Sequence, residues 1–157
     1  MAIARRQLSA LFDAGIRCFV SLMDEEPRGA APYDALVAAL AHERGASIAC
    51  LRFPIEDHDV PEVEAMRRLE DALAERAVRG EPTYVHCWGG RGRTGLVAGV
   101  VLVRLGLATP AGFTRVIAEL RDGLPGESPE TAEQVAFVRR YTQAVPGPLW
   151  PAPRLAG

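Results

Sequence analysis

The chain has 157 residues, a length at which one domain buries roughly 70% of the surface of its unfolded chain. Hydrophobic residues make up 48% and charged residues 24%, a balance that excludes disordered and fibrous proteins. The formal net charge of -2 provides no broad positive field, which excludes a general affinity for nucleic acids. We therefore expect one globular domain that binds no nucleic acid.

Cysteine usage and hydropathy indicate the compartment. Cys18, Cys50 and Cys87 are widely spaced and form neither a disulfide framework nor a paired-cysteine metal site. The first residues lack the apolar region of a signal peptide, and the longest apolar run, residues 96–103, is too short to cross a bilayer. We predict a cytoplasmic protein without membrane insertion, and a monomer. All 18 Lys-or-Arg positions are Arg, which indicates a GC-rich, bacterial genome.

Predicted helices and strands alternate along the chain. Apolar spacing and end signals predict, in order, a helix at 5–14, a strand at 16–22, a helix at 33–44, a strand at 46–55, a helix from Pro61 to before Gly80, a strand at 83–86, and helices at 94–105, 110–121 and 129–144. This order predicts a single-domain α/β fold with a central, mostly parallel sheet flanked by helices on both faces. The domain covers residues 1–145, and residues 146–157 form a Pro-rich C-terminal tail.

A glycine-rich loop lies between the third predicted strand and the helix that follows it. Gly89, Gly90 and Gly92 let successive backbone N–H groups point inward, and the helix adds free N–H groups at its N-terminus. Such a loop binds a tetrahedral anion. The sequence therefore predicts a phosphate site.

The same loop contains residues suited to nucleophilic catalysis. A helix N-terminus and a nearby guanidinium can lower the pKa of a thiol such as Cys87 from about 8.5 to between about 3.5 and 7.5. Arg93 provides a planar pair of donors that matches two phosphoryl oxygens. Thr94 can donate a hydrogen bond to the Cys87 sulfur when that sulfur is the leaving group. Cys87, Arg93 and Thr94 are therefore candidate catalytic residues.

At these residues the chain resembles the cysteine-dependent protein phosphatases, and its short length resembles their compact dual-specificity group. The family signature, His-Cys, five residues, Arg, then Ser or Thr, is matched by His86, Cys87, Arg93 and Thr94. The resemblance implies the fold of that family and a phosphocysteine intermediate hydrolysed by water, with no metal or other cofactor. The alternative, an inert buried Cys87 and a surface Arg93, treats this spacing as coincidence.

The family also uses an Asp from an upstream loop as general acid, which protonates the departing oxygen. Residues 53–57, FPIED, look like that loop in the dual-specificity group, and this register places the acid at Asp57. Asp59 is the alternative. For each carboxylate the structural interpretation is a solvated loop residue, which we favour for Asp59.

Three further residues around Cys87 have two interpretations each. In the family the His of the signature supports the thiolate, so we assign His86 that role rather than core packing. Arg91 either adds positive charge above the bound phosphate or points to solvent. Trp88 either lines the pocket or packs beneath the loop, and packing is favoured. Together with Gly89, Gly90, Gly92 and Arg93, Trp88 and Arg91 make up the predicted phosphate-binding loop.

Gln134 lies near the start of the last predicted helix. Related phosphatases use a polar residue on this side to orient the hydrolytic water, which makes Gln134 a supporting candidate. Alternatively Ser128, or Thr131 with Gln134, caps the helix. Cys18 and Cys50 are predicted core residues, and a protective disulfide with Cys87 would require Cys50 to lie near it.

The resemblance implies hydrolysis of phosphate monoesters on protein side chains, Tyr first, with Ser and Thr also possible. The partner is then a phosphorylated protein or a small phosphomonoester. A phosphoinositide or inositol-phosphate phosphatase is the first alternative, although that group carries Lys in the signature loop and this chain has Arg91. A non-catalytic phosphate-binding module and a rhodanese-type sulfurtransferase are the others.

Overall fold

Three parallel strands form the sheet in the part of the chain that the computed structural model describes, residues 2–24 and 33–145. They are β1 (Cys18–Met23), β2 (Ala49–Ile55) and β3 (Thr83–His86), in the order β2-β1-β3. The parallel α/β fold predicted from the sequence is confirmed. The predicted C-terminal tail, residues 146–157, lies outside the described residues.

Six helices surround this sheet in the same described ranges. They are α1 (Ala2–Asp13), α2 (Asp34–Glu43), α3 (Val63–Val78), α4 (Gly92–Arg104), α5 (Phe113–Leu120) and α6 (Ala132–Ala144). Of these, α3 begins two residues after Pro61, and α4 begins two residues before Thr94, inside the glycine-rich loop. No helix among the described residues combines the length and the apolar character that crossing a bilayer requires.

The alternation of side chains along β1 explains why helices lie on both faces of the sheet. Cys18, Val20 and Leu22 are buried in the core on one face, which also contains apolar residues of α3 to α6. Phe19 is buried on the other face with residues of α1 and α2. Successive side chains of a strand point to opposite faces, so β1, which is buried at every position, needs cover on both sides.

The carboxyl ends of the three strands meet at one edge of the sheet, where open α/β folds bind their ligands. Asp24 follows β1, the loop of residues 56–62 follows β2, and Cys87 follows β3. The register pairs Ser21 of β1 with Arg52 of β2 and with His86 of β3. Three segments that are distant in sequence are therefore brought to the same edge.

Candidate active site

Cys87 lies between the end of β3 and the start of α4, and its side chain is buried. The Thr94 hydroxyl donates to the Cys87 sulfur over 3.1 Å. Burial raises the pKa of the Cys87 thiol, but hydrogen bonds from the Thr94 side chain, from the backbone N–H groups of Thr94 and Gly90, and the charge of Arg93 outweigh it. The pKa of Cys87 is therefore lowered, which favours the nucleophilic thiolate.

The glycines of the loop meet different requirements. Gly90 has a φ of +65°, a conformation that side-chain-bearing residues rarely adopt. A Cβ at Gly92 would lie 3.1 Å from the side-chain amide of Gln134 and 3.3 Å from Glu130 Oε2, so a larger residue there would require these two side chains to shift. At Gly89 neither requirement applies, because its φ is not positive and a Cβ would have open space.

Arg93, in the first turn of α4, is buried at the edge of the sheet. Its Nη1 donates to Asp24 Oδ1 over 2.9 Å and to the Ile55 carbonyl over 3.1 Å. Its Nη2 lies 3.0 Å from Asp57 Oδ1. The buried Nε has no hydrogen-bond partner within the described ranges. One guanidinium thus connects the ends of β1 and β2 with the predicted general-acid residue, and one of its donors remains available.

The two candidate acids lie in the loop after β2 in different surroundings. Asp57 contacts the Arg93 guanidinium, and its side chain is 62% exposed, which makes it accessible to a substrate. The side chain of Asp59 accepts a hydrogen bond from the Val60 backbone N–H over 2.8 Å. The structure therefore brings Asp57 to Arg93 and uses Asp59 to shape the loop.

Gln134 is fully buried at the start of α6. Its Oε1 accepts from the backbone N–H groups of Glu130 and Thr131, and the Thr131 hydroxyl accepts from the Gln134 N–H. This is the capping box that the Thr131 alternative predicted. Gln134 Nε2 also donates to the Asp59 carbonyl over 3.1 Å. Gln134 therefore joins α6 to the loop of residues 56–62, called the acid loop below because it contains both candidate acids.

His86 lies at the end of β3 with both ring nitrogens engaged. Nδ1 lies 3.2 Å from the Cys87 carbonyl, and Nε2 lies 2.6 Å from the Tyr33 hydroxyl. Since a carbonyl only accepts, Nδ1 donates to it. The ring also stacks on Tyr84 with centroids 5.5 Å apart. These contacts hold the backbone at Cys87, and the supporting role of His86 stays a prediction.

Trp88 does not pack beneath the loop, because 72% of its surface is exposed. It lines a cavity of about 700 Å³ together with Cys87, Met23, Tyr33 and residues of α1. The cavity wall is mostly apolar. The packing that the sequence favours for Trp88 is therefore wrong, and the structure places the indole at the wall of a cavity beside Cys87.

The Arg91 side chain forms an ion pair, which neither of its two interpretations from the sequence included. Its Nη2 lies 2.9 Å from Glu130 Oε1, and its backbone carbonyl accepts from the buried Ser128 hydroxyl over 2.8 Å. The Glu130 carboxylate therefore compensates the Arg91 charge. Both contacts connect the signature loop to the segment before α6.

Cys18 is buried as predicted, but Cys50 is exposed, so its prediction as a core residue is wrong. Cys50 also does not lie near Cys87. It pairs with Phe19 near the amino ends of β1 and β2, whereas Cys87 follows the carboxyl end of β3. Cys18 likewise pairs with Thr83 at the start of β3. The residue of β3 level with Cys50 is Tyr84, three residues before Cys87. Three residues of strand span about 10 Å, and β1 also lies between β2 and β3, so Cys50 and Cys87 are well beyond the reach of a disulfide. The condition for a protective disulfide is not met.

Sequence reasoning missed Asp24 and Tyr33. Asp24 pairs with Arg93 and Tyr33 with His86, across 69 and 53 residues of sequence. For Asp24 a signal was available, because it follows a predicted parallel strand at the edge where such folds bind ligands. For Tyr33, at the start of a predicted helix, no local pattern indicated the contact.

Comparisons with known proteins agree with this geometry. A family model described as "Swiss Army Knife protein, DSP-PTPase phosphatase domain" (PTP-SAK) matches residues 2–142. The chain is 34% identical over 94 residues to the uncharacterized protein MJECL20 of Methanocaldococcus jannaschii. That match covers 60% of each protein, so the chain spans less than two thirds of this relative.

Two solved structures share the fold. A mutant form of Tk-PTP is 25% identical with a TM-score of 0.65, and the match covers 88% of this chain and 84% of that one. PTPMT1 in complex with PI(5)P is 17% identical with a TM-score of 0.69, over 89% of this chain and 83% of that one. The family match spans nearly all described residues, so the chain belongs to the PTP-SAK family of DSP-PTPase phosphatase domains, within the cysteine-dependent phosphatase superfamily.

Proposed function

We propose that this protein hydrolyses phosphate monoesters through a phosphocysteine intermediate on Cys87, with Arg93 binding the phosphate and Asp57 as general acid. The surroundings of the Cys87 sulfur support this function most directly. The sulfur receives hydrogen bonds from Thr94 and from loop N–H groups, and its pKa is lowered. A non-catalytic phosphate-binding module has no need of an activated thiolate.

In the first step the Cys87 thiolate attacks phosphorus in line with the ester oxygen. The S–P bond forms as the P–O bond breaks, and Asp57 donates its proton to the departing oxygen. In the second step water attacks phosphorus while the Asp57 carboxylate accepts a proton from it. Phosphate leaves, and the Thr94 hydroxyl, 3.1 Å from the sulfur, stabilises the thiolate that returns.

The hydrogens of Arg93 indicate how phosphate would be held. Nη1 has two hydrogens. Asp24 accepts one of them and the Ile55 carbonyl accepts the other. The remaining edge of the guanidinium consists of Nε and Nη2. A bidentate grip on two phosphoryl oxygens would use this edge, with Nη2 exchanging the exposed Asp57 for substrate.

The surface around the loop favours a phosphomonoester on an apolar or aromatic group, phosphotyrosine in a protein first. Trp88 and Tyr33 line the mostly apolar cavity that reaches Cys87. Arg91 is paired with Glu130, so its charge is not free for a second phosphate. Binding of PI(5)P, as in PTPMT1, or of inositol phosphates remains the alternative.

The test measures phosphate release from p-nitrophenyl phosphate, phosphotyrosine and phosphoserine peptides, PI(5)P and inositol phosphates. Wild type should act best on the phosphotyrosine peptide. Cys87→Ser should abolish turnover while orthovanadate or phosphate still binds, because the N–H groups of the loop remain. Turnover retained in Cys87→Ser would remove Cys87 from its role, and a preference for inositol phosphates would favour the alternative substrate.

The general acid is tested with substrates whose leaving groups differ. Asp57→Asn should reduce kcat by about 10² to 10⁴ on phenyl phosphate, and by less on p-nitrophenyl phosphate, whose better leaving group needs less protonation. Asp59→Asn is the matched control and should have little effect on either rate. If the two variants behave the other way round, Asp59 is the acid.

A further inference from the structure

Asp24 contacts Arg93 but takes no part in the chemical steps of the proposed mechanism. It follows directly after β1, and its Oδ1 accepts from Arg93 Nη1 over 2.9 Å. Its side chain is 37% exposed, so the buried guanidinium meets a carboxylate that lies partly in solvent. A surface carboxylate has no need of such a partner for its own solvation.

Two acceptors hold the same nitrogen of the Arg93 guanidinium. Asp24 and the Ile55 carbonyl both receive hydrogens of Nη1, and they belong to the ends of the neighbouring strands β1 and β2. A guanidinium is planar and rigid, so fixing both hydrogens of Nη1 fixes the direction of the opposite edge as well. That edge contains the buried, unpartnered Nε and Nη2.

We propose that Asp24 is a positioning residue, which holds Arg93 from the side away from the substrate so that Nε and Nη2 face the phosphoryl group on Cys87. This inference rests on the proposed phosphatase function. Asp24 touches neither substrate nor sulfur in this role; it acts through Arg93.

This role differs in its consequence from simple phosphate binding. The Asp24 carboxylate is a negative charge near the phosphate site, so by charge alone it opposes the binding of a phosphate dianion. Its benefit lies in orientation, which matters most in the transition state, where small misplacements of a catalytic group cost up to about 10²-fold in rate. Removing the charge should therefore lower turnover without weakening the binding of phosphate.

The experiment compares wild type, Asp24→Asn and Asp13→Asn. Asp13 lies at the end of α1 with a 70% exposed side chain, and its substitution removes the same charge far from the loop. For each protein, kcat and KM on p-nitrophenyl phosphate, the inhibition constant of inorganic phosphate and the melting temperature are measured. We expect Asp24→Asn to lower kcat by about 10- to 100-fold, with an unchanged or smaller inhibition constant for phosphate and an unchanged melting temperature.

Asp24→Glu provides a second variant, since it keeps the charge but moves the carboxylate by one methylene. It should also lower kcat, because the position of the oxygen matters and not only its charge. Asp13→Asn should match wild type. An unchanged kcat in Asp24→Asn would overturn the proposal, and so would a joint loss of turnover, phosphate binding and thermal stability, which would indicate a structural role. Absence of turnover in wild type would instead contradict the proposed function.

Discussion

At the scale of single residues, the ionisation of Cys87 is decided by opposing effects on the pKa of its thiol. Burial raises the pKa of the thiol, and hydrogen bonds from Thr94 and Gly90 together with the Arg93 charge lower it. Because the lowering effects prevail, the thiolate should form below the pH at which an ordinary cysteine ionises. The pKa of Cys50 is instead raised, by partial desolvation of its sulfur and by the charge of Asp34.

This difference allows a prediction on pH dependence. Thr94→Val removes a hydroxyl that donates to the sulfur but keeps the shape of the side chain, so the pKa of Cys87 should rise. The rate of alkylation of Cys87 by iodoacetamide, measured by peptide mass spectrometry, should then reach half its maximum at a higher pH than in wild type. Thr94→Ser should restore the wild-type profile. Cys50 serves as an internal reference, and an equal profile in Thr94→Val would contradict the hydrogen bond as a cause.

The signature could be read from the sequence at this scale because its residues are close neighbours. Cys87, Arg93 and Thr94 lie within one loop and one helical turn, so spacing alone indicates that they meet. The reasons for the glycines could not be read in the same way. Gly92 lies against Gln134, which belongs to a helix distant in the sequence, and no pattern around residue 92 indicates this contact.

At the scale of elements, the start of α6 holds the acid loop. The Thr131 hydroxyl contacts the His58 carbonyl at 3.4 Å, and Gln134 donates to the Asp59 carbonyl. These successive carbonyls belong to the turn that carries Asp57 toward Arg93. The capping box therefore has a second consequence, because the residues that cap the N-terminus of α6 also hold the acid loop.

Replacing Gln134 should separate these consequences. Gln134→Ala leaves the N–H groups of Glu130 and Thr131 without their acceptor and should lower the free energy of unfolding by about 1 to 3 kcal/mol. It should also lower kcat on phenyl phosphate more than on p-nitrophenyl phosphate, since the acid loses its support. Urea unfolding and steady-state kinetics measure the two effects.

Thr131→Ala is the control for this prediction. It removes the hydroxyl of the cap, at a cost of about 1 kcal/mol, together with its long contact to the His58 carbonyl, but leaves the Gln134 contact with Asp59 in place. Its kinetic effect should therefore be smaller than that of Gln134→Ala. Equal losses on both substrates in Gln134→Ala would show that the amide does not act through the general acid.

At the scale of the whole molecule, a group of three buried polar side chains joins three helices. Arg104 of α4 donates through Nε to Glu70 of α3 over 3.0 Å, and the hydroxyl of Tyr141 in α6 donates to the same carboxylate. Arg104 also donates to the Val145 carbonyl over 3.0 Å. Burial raises the pKa of Glu70, and burial with the bond to Glu70 raises that of Tyr141.

Disrupting this group should destabilise the fold without changing the chemistry. Glu70→Gln keeps the size of the side chain but removes the carboxylate charge that pairs with the buried Arg104, and breaking a buried ion pair costs about 3 to 5 kcal/mol. Tyr141→Phe removes one hydrogen bond to a charged group, worth about 1.5 to 3 kcal/mol. Urea unfolding measures both. A loss below about 1 kcal/mol in Glu70→Gln would contradict the role of the pair, and kcat per folded molecule should stay unchanged.

The sequence by itself determined the order and type of the elements, the parallel sheet, and the glycine-rich loop with Cys87, Arg93 and Thr94. These features depend on periodicity and on spacing within about a dozen residues, which the chain displays locally. Only the tertiary structure decided that Asp24 and Asp57 share Arg93, that Gln134 holds the acid loop, and that Glu130 compensates Arg91. The residues in each of these contacts are distant in the sequence and meet only when the chain folds. No local pattern of residues can therefore indicate them.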